Sequence, residues 1–384
     1  MRTPLPVAAS IAQRPGYGGH AWAFFQYAVG LRQLGYEPIL IDRLSAGMTA
    51  GADEISSAPA RHTAIEWFRQ VTEFAGLAGS SSLLLEDGET IGLTRSEVGE
   101  AIAAAPCLLN LMGFLTDPDL LDRAETLVFV DVDPGFPQLW RELGLADLFA
   151  GHHRFVSVGA NLGHADCGVP TCGLEWIAIR PPVALDLWQC APAASRVFRG
   201  VGSWRGPYGP IEHRGRTLGL RVHEFRKFAA LPRRVDAECE LALDIDPADS
   251  PDMETMRANE WRLADPAVAA GSPSAYRDFV QSSGAEIAIA KNIYVDTNSG
   301  WFSDRSACFL ASGRPVLAQD TGFAASLPTG EGLLAFGTLE EAVAGAEEIL
   351  GDWPRHSRAA RALSEETFDA KKVLGEMLSQ VGVA

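Results

Sequence analysis

Residues 6–42 read PVAASIAQRPGYGGHAWAFFQYAVGLRQLGYEPILID, and this stretch decides the fold class. Residues 6–11 (PVAASI) are short and apolar, as a buried strand is. A turn-rich run follows at residues 14–19 (RPGYGG), then residues 20–34 (HAWAFFQYAVGLRQL), whose apolar side chains recur three and four apart as on a helix. Gly35 is a helix stop, and residues 37–42 (EPILID) read as the next strand. Strand, glycine turn, helix and a short return to a strand predict a right-handed βαβ crossover and hence a parallel sheet.

The alternation continues outward from there. Helices are expected over residues 60–78, 94–104 (Thr94 as cap) and 117–124, and strands over 81–85, 107–112, 126–131 and 155–159. The 126–131 strand ends in the turn Asp133-Pro134-Gly135. Residues 179–194 are proline-rich and poorly periodic, which marks a linker. A second alternating series follows, with strands over 196–201, 240–245, 286–290, 315–318 and 333–336. Its helices are expected over 216–230, 272–281, 304–312, 338–350 and 356–381. The expected fold class is therefore α/β, with two doubly wound Rossmann-like domains. Their expected extents are residues 1–185 and 186–354, with residues 355–384 as a terminal helix.

Composition narrows the function classes. The chain has 384 residues, 47% hydrophobic and 21% charged, enough apolar material for two cores. With 32 basic and 49 acidic residues the formal charge is −17, a surface that repels nucleic acid and anionic membrane. No run approaches the ~20 apolar residues of a membrane span, and residues 1–16 lack the layout of a signal peptide. A cytoplasmic location is expected. Six cysteines are too few for a disulfide framework. Cys167 and Cys172 lack a second pair to complete a zinc site, and the adjacent His152 and His153 face opposite sides of any strand.

In open parallel sheets ligands bind beyond the carboxyl ends of strands, where glycine loops and helix N-termini present free N–H groups. That rule selects Gly18, Gly19 and His20 after the first strand, and Ser203 and Arg205 after the strand at 196–201. It also selects Lys291, and the run Ser299, Gly300, Trp301, Ser303, Asp304 and Arg305 ahead of the 304–312 helix. Apart from His20, these are the expected diphosphate-binding residues, with Trp301 as a ring able to stack on a ligand. Asp320, Thr321 and Gly322 follow the strand at 315–318 and are candidates for sugar or ribose hydroxyls, as is Glu331 in a later loop. Each has a structural alternative: an Asx turn for Asp320, a helix cap for Ser303, a local ion pair for Arg305. Asp131 and Asp133 share a face at the end of the 126–131 strand, fit either to touch an acceptor or to cap the turn.

The glycine loop and helix of the first half, with Ser312-Gly313-Arg314-Pro315-Val316 and Asp320-Thr321-Gly322 in the second, resemble the GT-B nucleotide-sugar glycosyltransferases. GGHAW, DVDPGF, SGWFSDRSA and LPTGEGLL look like a poorly characterised bacterial group within the glycosyltransferases. The resemblance implies that the two domains face a central cleft and that a C-terminal helix returns to the first domain. It implies transfer of a sugar from a nucleotide-diphosphate donor, held by the second domain, to a small-molecule or soluble acceptor in the first. No cofactor or essential metal is then expected, because donated hydrogen bonds neutralise the leaving diphosphate.

His20 matches the histidine of the inverting members, where an unperturbed pKa near 6.5 suits a general base, and Asp133 is the accompanying catalytic carboxylate. By strand order, however, the family's aspartate falls near Asn110. The two glutamates of retaining members fall on Gly300 and Cys308, so neither stereochemistry is fully equipped. The competing expectation is a GT-B-shaped nucleotide-binding auxiliary protein, or degenerate transferase, without activity.

Overall fold

The computed structural model describes residues 2–45, 58–190, 195–206 and 208–383. The first sheet comprises β1 (Pro4–Ala8), β2 (Glu37–Leu44), β3 (Ser81–Leu85), β4 (Thr90–Gly92), β5 (Leu108–Leu111), β6 (Leu127–Asp131), β7 (Arg154–Ser157) and β8 (Trp176–Ala178). Their spatial order is β4-β3-β2-β1-β5-β6-β7-β8, parallel throughout except for the β3–β4 pair. Val7 of β1 lies between Leu40 of β2 and Leu109 of β5, so strand order reverses beside β1.

The second half repeats the plan. Its strands are β9 (Phe198–Ser203), β10 (Ile211–His213), β11 (Arg216–Leu218), β12 (Cys239–Asp244), β13 (Arg262–Ala264), β14 (Ala285–Ala288), β15 (Val316–Gln319) and β16 (Leu333–Phe336). Six of them form a sheet of order β13-β12-β9-β14-β15-β16, while β10 and β11 make a separate antiparallel hairpin. All five pairings in the six-stranded sheet are parallel. The strand order reverses at β9 and β14, where a doubly wound sheet opens a crevice.

Local chemistry explains most boundaries. Thr94 and Thr338 each form a reciprocal capping box, with Glu97 and Glu341 respectively. Ser272 and Ser303 cap the helices Pro273–Ser282 and Asp304–Ala311. Two expectations are corrected. Residues 216–230 are not one helix: they form β11, then a glycine turn at Gly219 with φ of 97°, then the helix Val222–Lys227. Residues 356–381 are likewise two helices, Trp353–Thr367 and Ala370–Gln380. The break comes where Val183 inserts: its N–H donates to the Phe368 carbonyl (2.8 Å) and its carbonyl accepts from Ala370 N–H (2.9 Å). Of the linker expected over residues 179–194, residues 191–194 lie outside the described residues.

The two sheets share apolar packing. The helix Gly18–Gln33 buries Trp22, Phe25, Tyr27 and Leu31 in a cluster that includes Phe309 and Leu310 of the second half and Leu374 and Met377 of the last helix. The last helix thus packs back on the first domain. Gln26 stitches this junction: its side-chain oxygen accepts from Ala184 N–H (3.2 Å) and the Trp188 indole (3.1 Å), and Trp22 donates to the Pro273 carbonyl at 2.8 Å. No helix among the described residues is long and apolar enough to cross a membrane.

Candidate functional site

The carboxyl edges of the two sheets meet. β6 ends at Asp131, which is fully buried and accepts from Gln138 Nε2 (2.8 Å), Ser157 Oγ (2.8 Å) and Asp133 N–H (3.0 Å). Burial pushes Asp131 up to about 6 against those hydrogen bonds. Its task is to shape the turn, which leaves the Asp133 carboxylate at the cleft. Opposite, just after β14, Lys291 Nζ reaches that carboxylate at 3.1 and 3.2 Å and the Tyr294 hydroxyl at 3.0 Å.

The Lys291 ammonium is also enclosed by rings. Its Nζ lies 4.7 Å from the Phe136 centroid, 5.2 Å from Tyr294 and 5.7 Å from Tyr208, contacts favourable to a cation. Burial lowers the Lys291 pKa, with Asp133 opposing that shift and Arg221 adding to it. Arg221 is buried, and its Nη1 donates to the Ser203 carbonyl at 3.2 Å while Nε has no hydrogen-bond partner among the described residues. Burial first, and the Arg305 charge next, bring Arg221 down to about 9. Gly202 makes room for it, since a Cβ there would lie 2.2 Å from Arg221 Nη1. Lys291, paired with Asp133, and Arg221, bonded to the Ser203 carbonyl, are thus two desolvated cations at this edge, an arrangement of charge suited to an anion.

The other expected residues divide into three groups. Ser299, Gly300, Trp301 and Thr321, joined to one another by hydrogen bonds, build the wall beside this site, flanked in the chain by Ser303 and Gly322. Gly300 N–H donates to the Thr321 carbonyl (2.8 Å), Thr321 Oγ1 donates to the Trp301 carbonyl, and Ser299 Oγ accepts from Trp301 N–H (3.3 Å). Trp301 stacks on Tyr294 at 4.1 Å between centroids, and Ser303 Oγ caps its helix by accepting from Arg305 N–H (3.2 Å). Trp301, Ser303, Arg305, Thr321, Gln319 and Ser306 line a small cavity at the carboxyl ends of β14 and β15. Among the described residues the Ser306 hydroxyl has no hydrogen-bond partner. Asp304 is held above the ordinary carboxylate range by burial, against the opposing Arg305 charge.

A second group is engaged in structural contacts. Arg305 donates to Glu286 (2.5 Å) and to the Val201 carbonyl (2.9 Å); burial works against its charge, but Glu286 outweighs that and raises its pKa. Arg205 forks onto Asp249 (Nε 2.8 Å) with a largely exposed side chain. Asp320 closes a turn by accepting from Gly322 N–H (2.9 Å) and Ala324 N–H (3.3 Å). Gly18 and Gly19 belong to the first helical turn, and their bare backbones admit the second domain. A Cβ on Gly18 would lie 2.2 Å from the Ser272 carbonyl oxygen, and one on Gly19 would lie 2.9 Å from the Tyr276 ring.

Glu331 stands apart. It precedes β16, at the edge opposite the cleft, and pairs with Arg355 at 3.7 Å on the surface. His20 lies in the first turn of its helix, with Nε2 2.6 Å from the Ser10 carbonyl. Because a carbonyl only accepts, Nε2 carries the hydrogen. Burial, with the Arg14 charge, presses His20 down to about 3, not the 6.5 expected of a free imidazole. Sequence reasoning missed Arg221 and the ring cage. Tyr294 was within reach, three residues after Lys291 at helical spacing. Ser203 contributes its carbonyl to Arg221, and Asn110 is tied to Leu115 and His152.

The chain is similar in structure to three solved glycosyltransferases over nearly its full length. An alpha-glucosyltransferase in complex with UDP and a 13-mer DNA superposes with a TM-score of 0.60 at 11% identity, covering 99% of this chain and 100% of that one. AviGT4, involved in avilamycin A biosynthesis, gives 0.58 at 13%, covering 99% and 97%. Anabaena HepE in complex with UDP and glucose gives 0.57 at 11%, covering 99% and 100%. The shared architecture is the GT-B fold. No family model and no curated protein matches the sequence.

Proposed function

We propose that the chain transfers a sugar from a nucleoside-diphosphate donor to a small or soluble acceptor, without an essential metal. The observation that carries this reading is the pair of buried cations, Lys291 and Arg221, where the carboxyl edges of both sheets meet. A leaving diphosphate is the largest charge that glycosyl transfer creates, and preorganised cations in a dry site stabilise it most. Lys291 and Arg221 receive the diphosphate, which replaces Asp133 on Lys291. The Ser303-capped end of the helix Asp304–Ala311 faces the same edge.

Asp133, released from Lys291, balances the positive charge that develops on the sugar ring. His20 is a weak base in this setting, so its part is to accept a hydrogen bond from the acceptor hydroxyl through Nδ1. The two similar structures solved with UDP make UDP the first nucleotide to try. A formal charge of −17 argues against a nucleic-acid acceptor.

The test is a thermal-shift titration with UDP, GDP, TDP and ADP and their sugars, with and without magnesium. A ligand at 100 times its Kd adds about 2.7 kcal/mol of stability. A shift selective for one diphosphate and independent of magnesium is expected, followed by transfer or hydrolysis of the matching sugar donor. No shift with any of them overturns the reading, and binding without turnover leaves a nucleotide-binding protein without transferase activity.

A further inference from the structure

The Asp42 carboxylate, near the end of β2, is 1% exposed and saturated with hydrogen bonds. Its Oδ2 accepts from Ile11 N–H and Ala12 N–H, both at 2.7 Å, and its Oδ1 from Gln13 Nε2 (2.9 Å) and Arg43 N–H (2.6 Å). Gln13 in turn donates to the Arg43 carbonyl and accepts from Ser10 Oγ. The loop from Ser10 to Gln13 is thereby fixed against β2. That loop presents the Ser10 carbonyl to His20 Nε2 at 2.6 Å.

We propose that Asp42 is a positioning residue for His20: it fixes the loop whose Ser10 carbonyl takes the Nε2 hydrogen, and so keeps Nδ1 as the ring's one accepting atom. Its catalytic consequence rests on the transferase reading; the tautomer assignment does not. The β1–β2 ladder itself does not need this carboxylate, because Ala9 N–H already continues the pairing by donating to the Ile41 carbonyl at 2.8 Å. Beyond Ala9 the chain leaves the ladder, and Asp42 supplies the acceptors that Ile11 and Ala12 then use. Only a carboxylate offers two oxygens to four donors; an amide would turn an N–H2 toward Gln13 and Arg43. Burying that carboxylate is unfavourable, since burial lifts its pKa to about 6 even against four hydrogen bonds. A fold that keeps an unfavourable group at this point gains a fixed imidazole.

The test reads the tautomer directly. In protein labelled with ¹⁵N-histidine, the His20 ring signals are identified by their loss in His20→Gln. The unmodified protein is expected to show one pattern, with hydrogen on Nε2. Asp42→Ala is expected to give nitrogen shifts averaged between two tautomers. It is also expected to lower kcat for transfer at least about tenfold, since a misassigned tautomer removes a ring's catalytic use, with UDP affinity within about twofold of the unmodified protein. Asp42→Asn is measured in parallel and serves where the alanine variant does not fold. A folded variant with an unchanged Nε2–H pattern overturns the proposal. Averaged shifts in a protein that transfers no sugar would uphold the positioning role while the transferase reading falls.

Discussion

Lys291 and Asp133 are paired across the cleft, each from the loop after a central strand of its own sheet, with both carboxylate oxygens within 3.2 Å of Nζ. The pair joins the two halves where the carboxyl edges of their sheets meet. Its charges are desolvated, and one partner removed alone leaves the other uncompensated.

Lys291→Ala is therefore expected to weaken nucleoside-diphosphate binding by tenfold or more, roughly the 1.5–3 kcal/mol of a charge-assisted hydrogen bond. Asp133→Asn is expected to move the other way for binding, since it removes the anion that competes with the diphosphate, while transfer falls. Calorimetric titration with UDP reads the first two effects. Equal losses of UDP affinity in both variants would exclude competition at Lys291.

Arg221 and Arg205 separate a buried cation from a surface one. Arg221→Gln is expected to reduce diphosphate affinity at least about tenfold. Arg205→Ala, which removes a largely exposed arginine from a half-buried pair with Asp249, is expected to leave it within about twofold. Gly202→Ala, whose added Cβ would crowd Arg221 Nη1, is expected to resemble Arg221→Gln in binding. Titration of the three variants with one diphosphate decides between the two arginines.

Gly18→Ala places a methyl against the Ser272 carbonyl, backbone against backbone, where neither side chain can swing away. A loss of about 1–3 kcal/mol is expected from overpacking, read as a lower urea midpoint. An unchanged midpoint would mean that the domain contact relaxes freely.

The His20 shift sets a pH dependence with a definite sign. Its folded pKa is depressed from 6.5 to about 3, so the unfolded chain binds the proton first as pH falls. Stability is complete above the unfolded value and is lost as pH drops from about 6.5 toward 3. Urea midpoints at pH 7, 5 and 4 are expected to fall less steeply for His20→Gln than for the unmodified protein. Identical slopes would show that the imidazole is not desolvated. Transfer activity is expected to show no transition near pH 6.5 from this residue.

Glu331→Ala is expected to leave nucleotide affinity within about twofold, because the side chain sits at the amino edge of β16 beside Arg355. A clear loss of affinity, measured by the same titration, would require the ligand to extend around the sheet.

Much of the fold was legible because it is local. The period of residues 20–34, the Gly35 stop and the apolar run before Asp42 each follow from backbone and solvent preferences within a few residues, and two such series imply two parallel sheets. The carboxyl-edge rule located Lys291, Asp133, Ser299 to Asp304 and Thr321 for the same reason. Glu331 reads as a ribose candidate from its loop alone, and the structure puts it before β16, at the opposite edge. What the sequence did not contain was the choice of partners. Arg205, Arg221 and Arg305 are chemically alike, yet Asp249 and Glu286 claim two of them while Arg221 turns into the room left by Gly202. Gly18 and Gly19 read as a ligand loop, but only packing reveals that Ser272 and Tyr276 occupy the space. Hydrogen bonding and burial join residues far apart in the chain, and the same contacts decide which charge stays paired, which proton stays on His20, and which cations face the cleft.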